Sequence, residues 1–224
     1  MNTYLRAINS YPGGDFSFSL PVTGISLAKR SLLHLDYNFE PAVRVNLYAK
    51  VQGTWFEFLL TGKEAQEPNV TSAGKTTVTA DGRWHHLALD LGTAVIAALK
   101  AEGKPTVDLT LQDLVFANWE TSSEARWYGF GVNAGHLSLC LDNVTLMPAI
   151  AGPASLSWSG PDADTTAWRT ALDTSPWSIP TKVTEDRILN IQPTDGLRFL
   201  HVQVKDGDGK WGPVVHLPVP AKGK

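Results

Sequence analysis

The sequence predicts an all-β protein with two domains and one short helix. Apolar and polar residues alternate with a period of two through most of the chain, as in strands that bury one face. Only residues 93–102 combine helix-forming alanines with flanking glycines. Two prolines and a glycine within 148–153 interrupt the alternation, as expected of a linker between domains. A chain of 224 residues is long enough for two β-sandwiches of different size.

The predicted strands of the first domain, residues 1–148, are the segments in which the alternation is regular. They cover residues 15–20, 43–51, 54–60, 83–91, 106–116, 127–132 and 136–146. Gln52-Gly53 is predicted to form a tight hairpin turn, because glycine accepts a positive φ without a Cβ clash. The helix is predicted to have Thr93 as its N-cap and to end before Gly103.

A linker is predicted at residues 149–153, followed by a small second domain over residues 154–220. Its predicted strands cover residues 155–159, 167–172, 187–191, 197–206 and 214–219. Asp206-Gly-Asp-Gly209 is predicted to be a hairpin turn, because the other ligands of a calcium loop do not follow it.

Charge and motifs argue against several classes of function. The formal net charge is −3, with 11 basic and 14 acidic residues in 1–150 and eight of each in 151–224. Neither part has the basic excess of a nucleic-acid-binding domain. No apolar run approaches the roughly 18 residues of a membrane-spanning helix, so no membrane insertion is expected. No helical zinc motif, nucleophile elbow, P-loop or dinucleotide fingerprint occurs, and the chain is predicted not to be an enzyme.

Aromatic side chains are the candidate binding residues of the first domain. Trp119 lies in a polar segment between two predicted strands, where a loop on a rigid scaffold would expose it. A flat ring covers the apolar face of a sugar, while neighbouring polar groups bind its hydroxyl groups. The candidate carbohydrate-binding residues are Trp119, Tyr48, Trp55, Tyr128, Arg44, Asn46 and Glu120. For each aromatic residue, packing in the core is the alternative interpretation.

Asp142 is the candidate metal ligand. It follows an alternating apolar segment, and its carboxylate could join backbone carbonyl groups around a calcium ion. A turn-capping role is the alternative. Cys140, the only cysteine, is predicted to be a buried small hydrophobic residue and not a catalytic thiol.

Two segments of the first domain resemble a known family. Asp81-Gly-Arg-Trp-His-His-Leu-Ala-Leu-Asp-Leu91 and Leu139-Cys-Leu-Asp-Asn-Val-Thr-Leu146 are similar to segments of β-jelly-roll carbohydrate-binding modules from secreted bacterial proteins that act on polysaccharides. The resemblance implies a jelly-roll sandwich that binds a polysaccharide. It also implies a structural calcium at Asp142, for which Asp15 would be the acidic partner near the first strand.

The second domain resembles a bacterial immunoglobulin-like or fibronectin type III-like module. The resemblance includes Leu156-Ser-Trp158, Leu200-His-Val202 and Lys205-Asp-Gly-Asp-Gly-Lys-Trp-Gly212 and covers nearly the whole domain. It implies a small sandwich that spaces or presents a neighbouring domain.

Together these features predict a noncatalytic polysaccharide-binding fragment of a larger secreted or cell-surface bacterial protein, which holds an attached enzyme or surface near glycan. The expected partners are a polysaccharide or oligosaccharide and neighbouring domains of the larger chain. The alternative is a structural or adhesion spacer whose exposed aromatic residues contact a protein partner. A polysaccharide-degrading enzyme is the third hypothesis, with Asp36, Glu40 and Glu57 as available carboxylates.

Overall fold

The computed structural model of the chain describes residues 4–148, 154–158, 165–175, 177–191 and 198–219. The chain divides into two compact units, Met1–Pro148 and Ala149–Lys224. Strands dominate the described residues of both units, so the predicted all-β class is confirmed. The finer assignments to the jelly-roll and immunoglobulin-like families stay predictions. Within the described residues, no helix has both the length and the apolar character needed to cross a membrane.

The first unit contains two mainly antiparallel sheets. Its strands are β1 (Leu5–Ile8), β2 (Ser17–Leu20), β3 (Ile25–Ser26), β4 (Leu32–Phe39), β5 (Asn46–Val51), β6 (Thr54–Leu59), β7 (Val70–Lys75), β8 (His85–Asp90), β9 (Thr110–Ala117) and β10 (Ser138–Met147). One sheet has the strand order β1-β10-β4-β8, and the other has the order β2-β9-β5-β6-β7 with β3 beside β9. All neighbours pair antiparallel except β6 and β7.

Each of the two sheets contributes side chains from one face to the hydrophobic core of the first unit. On β5 the alternate residues Leu47, Ala49 and Val51 are fully or almost fully buried in this core. Gln52 and Gly53 both have positive φ, 48° and 82°, and join β5 to the antiparallel β6. This pair of φ values matches the twist of a two-residue hairpin, so the predicted turn is confirmed.

Two helices interrupt the strands of the first unit. The first, α1 (Leu91–Ala101), is capped by Asp90, whose carboxylate accepts a hydrogen bond from the backbone N–H of Thr93. Its start was therefore predicted wrongly, because the aspartate three residues earlier caps the helix. The second, α2 (Ser123–Trp127), is a short helix capped by Ser122. It ends at Trp127, and residues 128–132 continue as turns and irregular backbone, so the prediction of a strand over 127–132 is wrong.

The second unit has a four-stranded and a two-stranded sheet. Its strands are β11 (Ala154–Ser157), β12 (Ala167–Asp173), β13 (Lys182–Thr184), β14 (Ile188–Ile191), β15 (Arg198–Lys205) and β16 (Trp211–Val219). The strand orders are β13-β12-β15-β16 and β11-β14. Trp168, Leu200, Val202 and Val219 form the buried centre of its core. The predicted turn at 206–209 joins β15 to β16, with Gly209 at φ 80°.

Candidate functional site: an aromatic surface on two loops

The predicted sugar-binding face of β5 lies inside the protein. Tyr48 and Asn46 have no solvent-exposed surface. Trp119 is half-buried and stacks on Tyr48, with ring centroids 4.0 Å apart and an interplanar angle of 27°. Trp55 is also half-buried and meets Trp119 edge to face at 5.1 Å. Ala65, from the loop between β6 and β7, packs against the same cluster, so this face cannot serve as an exposed platform.

The buried carboxylate of Glu57 accepts hydrogen bonds from the residues on this face of β5. Glu57 Oε1 accepts hydrogen bonds from the Tyr48 hydroxyl at 2.7 Å and from Asn46 Nδ2 at 3.1 Å. Its Oε2 accepts one from the backbone N–H of Ala65 at 3.2 Å. Burial, followed by the neighbouring Glu57 carboxylate, raises the pKa of Tyr48 above its usual value. Tyr48, Asn46 and Glu57 therefore bind each other, and the prediction that Tyr48 and Asn46 contact a ligand is corrected.

Glu120 and Arg44, also predicted to bind a sugar, form an ion pair with each other. Glu120 is almost fully buried, and its Oε1 accepts hydrogen bonds from the Lys63 backbone N–H at 2.9 Å and from Asn118 Nδ2 at 3.1 Å. The backbone carbonyl of Arg44 accepts hydrogen bonds from the Asn118 and Asn133 side chains. Glu120 therefore connects loops at one end of the sandwich through these contacts.

Exposed aromatic residues lie on two loops at this end of the sandwich. Of the predicted residues only Tyr128 is among them. The exposed fractions are 76% for Tyr11, 86% for Trp127, 67% for Tyr128 and 70% for Phe130. We call these four residues the aromatic loop surface. Tyr11 belongs to the loop between β1 and β2, and the others belong to α2 and the segment that follows it.

Glycines hold the two loops against each other. Gly13 has φ 74°, and a Cβ atom there would lie 1.9 Å from the Gly129 carbonyl oxygen. The backbone N–H of Gly131 donates to the Gly13 carbonyl, and the N–H of Gly13 donates to the Asn133 carbonyl. The side chain of Asn9 donates to the carbonyls of Asn133 and Ala134. The loops that carry the aromatic residues are therefore joined by backbone hydrogen bonds and by the Asn9 side chain, and at Gly13 they approach too closely for a Cβ atom.

An ion-pair network lies beneath the aromatic loop surface. Arg126, one residue before Trp127, is 2.6 Å from Glu67 Oε1 and donates a further hydrogen bond to the Thr121 carbonyl. Its Nε lies 3.9 Å from Oδ2 of Asp15. The Asp15 side chain is only 10% exposed. These contacts connect α2 to the loop between β6 and β7 and to the segment before β2.

Asp15 is the carboxyl group of this network whose pKa is shifted most clearly. Burial raises its pKa from 3.8 to about 6. The hydrogen bond from Asn133 and the positive charge of Arg126 oppose this effect, whereas the negative charge of Glu120 adds to it. Asp15 therefore changes its charge close to neutral pH.

Two other clusters of titratable groups share no residue with this surface. In the first unit, His86 is 2.8 Å from Asp36 Oδ1, and its other ring nitrogen is 3.3 Å from Nδ1 of His34. Burial, with a further effect of His86, lowers the pKa of His34 to about 4. In the second unit, His201 lies between Asp173 and His216. Adjacent strands place His201 opposite His216 in the second unit, whereas in the first unit they place His86 opposite Asp36. In both clusters a carboxylate contacts one histidine ring.

Asp142 caps the backbone where calcium was predicted. Its Oδ1 accepts a hydrogen bond from the Asn143 N–H at 2.8 Å, at a β-bulge in β10. Among the described residues, no group of three or more His, Cys, Asp or Glu side chains is arranged to hold a metal ion. The turn-capping alternative describes the contact seen, and calcium stays a prediction.

Comparisons with known proteins find similarity only at the level of solved structures. No protein-family model and no curated protein matches the chain. A β-1,2-glucanase from Parabacteroides distasonis is 13% identical with a TM-score of 0.39, over 99% of this chain and 33% of that chain. The Endo-D glycoside hydrolase domain from Streptococcus pneumoniae R6 is 11% identical with a TM-score of 0.37, over 98% and 34%. The chain thus spans about one third of the length of either structure.

These findings correct the predicted function. The noncatalytic polysaccharide-binding prediction is wrong in the site on which it depends: Tyr48 and Asn46 have no exposed surface, and the half-buried Trp119 stacks on Tyr48 and meets Trp55. The prediction that the chain is not an enzyme has no support from the comparisons either. Because both TM-scores are below 0.5, the likeness assigns no activity to this chain.

The sequence contains a signal for the aromatic loop surface that alternation did not reveal. Tyr11 precedes Pro12-Gly13-Gly14, and Tyr128 and Phe130 alternate with Gly129 and Gly131. Aromatic residues next to glycines with positive φ are typical of turns, where side chains project from the surface. Tyr128 and Phe130 were interpreted as part of a strand over 127–132 because large apolar side chains also favour strands.

Proposed function

We propose that the first unit is a self-docking module, in which the aromatic loop surface binds the same surface of a second copy of the chain. The exposure of four large aromatic residues on two adjoining loops is the observation that carries this proposal. Soluble monomers rarely expose contiguous apolar patches larger than a few hundred Å². A surface of this kind is typical of a protein interface.

The size of the surface fits a weak but specific contact. Aromatic side chains bury about 150–250 Å² each, so four that are about three-quarters exposed offer roughly 600 Å² per copy. Stable interfaces bury about 800 Å² per partner, with about 600 Å² at the low end. We therefore expect a dissociation constant on the order of micromolar to tens of micromolar.

The polar groups beside the surface favour a protein partner over a sugar. A sugar site needs polar groups that are available to hydroxyl groups. Here Arg126 binds Glu67 and the Thr121 carbonyl, while Arg44 binds Glu120. Since these groups already bind each other, the accessible part of the surface is mainly aromatic.

The local charges favour a second copy as the partner. Arg126 faces the carboxylates of Glu67 and Asp15, and Arg44 faces Glu120, so each positive charge has a negative partner within the same copy. Two copies of this surface can therefore meet without opposing the positive charges of Arg126 or Arg44 in unpaired form. Two-fold symmetric dimers are also the commonest form of protein oligomer.

Sedimentation equilibrium of the purified chain tests the proposal. We expect a reversible dimer at about 50 μM and mainly monomer below about 1 μM. The double substitution Trp127→Ala with Tyr128→Ala should leave a folded monomer over this range. Val107→Ala is the matched control, because Val107 is 66% exposed but lies outside the aromatic loop surface.

Three outcomes would contradict the proposal. The first is a wild-type chain that remains monomeric at about 200 μM. The second is a dimer that the double substitution leaves unchanged. The third is a monomer whose Trp127 and Tyr128 bind oligosaccharides in affinity electrophoresis, which would give the surface a different ligand.

A further inference from the structure

Three carboxyl groups at this end of the first unit, all largely buried, differ in the number of hydrogen bonds that their oxygens accept. Glu57 accepts three hydrogen bonds, from Tyr48, Asn46 and the Ala65 backbone. Glu120 accepts two and pairs with an arginine. An ionised carboxylate has about four acceptor positions and loses free energy if they are buried without partners. Both glutamates therefore have hydrogen-bond or ion-pair partners on both carboxylate oxygens.

Asp15 is placed differently. Its Oδ1 accepts a long hydrogen bond of 3.3 Å from Asn133 Nδ2, while its buried Oδ2 has no hydrogen-bond partner. The Arg126 guanidinium, at 3.9 Å, is too far away to donate a hydrogen bond and is oriented towards Glu67 instead. The backbone N–H of Val132 is a second donor near the group. Because Oδ2 still has none, the geometry suits a neutral carboxyl group better than a carboxylate.

Asp15 also lies where the two loops meet. It follows Gly14, and Gly14 pairs with Asn133 in an isolated β-bridge. Its side chain faces Asn133, which precedes β10, and Arg126 of α2. The charged groups around it are Arg126 and Glu120, together with Glu67 on the far side of Arg126. A change of charge at Asp15 therefore acts at the junction between the two loops that carry the aromatic residues.

We propose that Asp15 is a proton-operated latch: its neutral carboxyl holds the loop at 11–15 and the loop at 126–133 together, and its ionisation loosens them. Ionised Asp15 leaves Oδ2 buried without a donor, and opening of the loops gives that oxygen access to water. Protonation removes the charge, so the buried Oδ2 no longer favours the opened loops. The aromatic loop surface is thereby preorganised in mildly acidic solution and more mobile above neutral pH.

The raised pKa of Asp15, from 3.8 to about 6 by burial, agrees in direction with this geometry. A carboxyl group with a raised pKa favours the closed state below its exposed pKa. This stabilisation is lost as the pH rises through the pKa of the closed state. Opening should therefore increase by up to roughly a hundredfold between about pH 4 and pH 8, if opening fully exposes the group.

Hydrogen exchange of the chain at about 1 μM, below the expected association range, tests the latch on its own. After correction for intrinsic exchange, amides within 11–15 and 126–133 should lose protection between pH 5 and pH 8. In Asp15→Asn, which is neutral at every pH and nearly the same size, this dependence should be absent. Asp81→Asn is the control, because Asp81 pairs with His85 away from the two loops.

A second measurement does not depend on any variant. In the wild-type chain, the NMR titration of the Asp15 side-chain carboxyl should have its midpoint near pH 6. A midpoint at or below about pH 4, the value of an exposed aspartate, would overturn the latch. So would loop protection that changes with pH equally in wild type and Asp15→Asn.

The link to association rests on the proposed self-docking, and the two ideas can fail separately. If the latch and self-docking both hold, the wild-type dimer should be several-fold tighter at pH 5.5 than at pH 8, and Asp15→Asn should remove that difference. Loops that respond to pH in a chain that never dimerises would refute self-docking alone. A dimer whose loops ignore Asp15 would refute the latch alone.

Discussion

Replacement of Trp119 by alanine should destabilise the first unit strongly, although Trp119 lies in a polar segment of the sequence. Removal of a fully buried tryptophan costs about 3–5 kcal/mol, so the half-buried Trp119 should cost roughly 2 kcal/mol through lost burial. Loss of its stacking on Tyr48 at 4.0 Å should add about 1 kcal/mol. We therefore expect a loss of about 3 kcal/mol in the free energy of unfolding.

The assay is urea unfolding followed by circular dichroism at about 1 μM chain, where association does not contribute. With a urea dependence of roughly 2 kcal/mol per molar, the midpoint of the first unit should fall by about 1.5 M. Trp127→Ala is the matched control: Trp127 is 86% exposed, so its removal should change the free energy by less than about 0.5 kcal/mol. Equal effects of the two substitutions, or a change below about 1 kcal/mol for Trp119→Ala, would refute the packed cluster.

Three further predictions concern the interior of the first unit. Burial lowers the pKa of His34 from 6.5 to about 4, so the unfolded chain binds a proton at His34 at higher pH than the folded chain does. The free energy of unfolding should therefore fall by about 3 kcal/mol between pH 6.5 and 4, and His34→Gln should remove this decrease from urea unfolding measured across that pH range. In the same assay, Gly13→Ala should lower the free energy of unfolding by at least about 2 kcal/mol more than Gly103→Ala does. Both glycines have positive φ, but only a Cβ atom at position 13 would clash with a backbone carbonyl. Tyr48→Phe should cost about 1–3 kcal/mol in urea unfolding, because Glu57 loses its 2.7 Å donor, and a cost below about 0.5 kcal/mol would contradict the buried network.

Local sequence patterns predicted the strands and turns of the first unit better than they predicted its surface. The alternation along β5 correctly separated Leu47, Ala49 and Val51 from Asn46 and Tyr48. A period of two shows that the two sets face opposite sides of a sheet, but it does not show what covers the second side. That cover comes from the segment between β6 and β7 and from Trp119, which are distant in sequence.

Two segments show why other elements were missed. β4 was not predicted, although Leu33, Leu35, Tyr37 and Phe39 alternate with polar residues as in the other strands. The alternation also gives no sign that two residues of its polar face, His34 and Asp36, are buried. Their burial depends on contacts with His86 of another strand. Residues 127–132 were assigned to a strand because their aromatic side chains favour strands. In the structure a helix capped by Ser122 ends at Trp127, and the segment that follows it contains the turn at Gly129.

Isotope-filtered NMR on a mixture of labelled and unlabelled chains tests self-docking most directly. At about 200 μM and pH 5.5, the aromatic protons of Tyr11, Trp127, Tyr128 and Phe130 should show nuclear Overhauser effects between copies. These signals should disappear in the chain that carries Trp127→Ala and Tyr128→Ala. Intermolecular signals that arise only from other residues, or none in a folded wild-type sample, would contradict the claim that this surface binds a second copy.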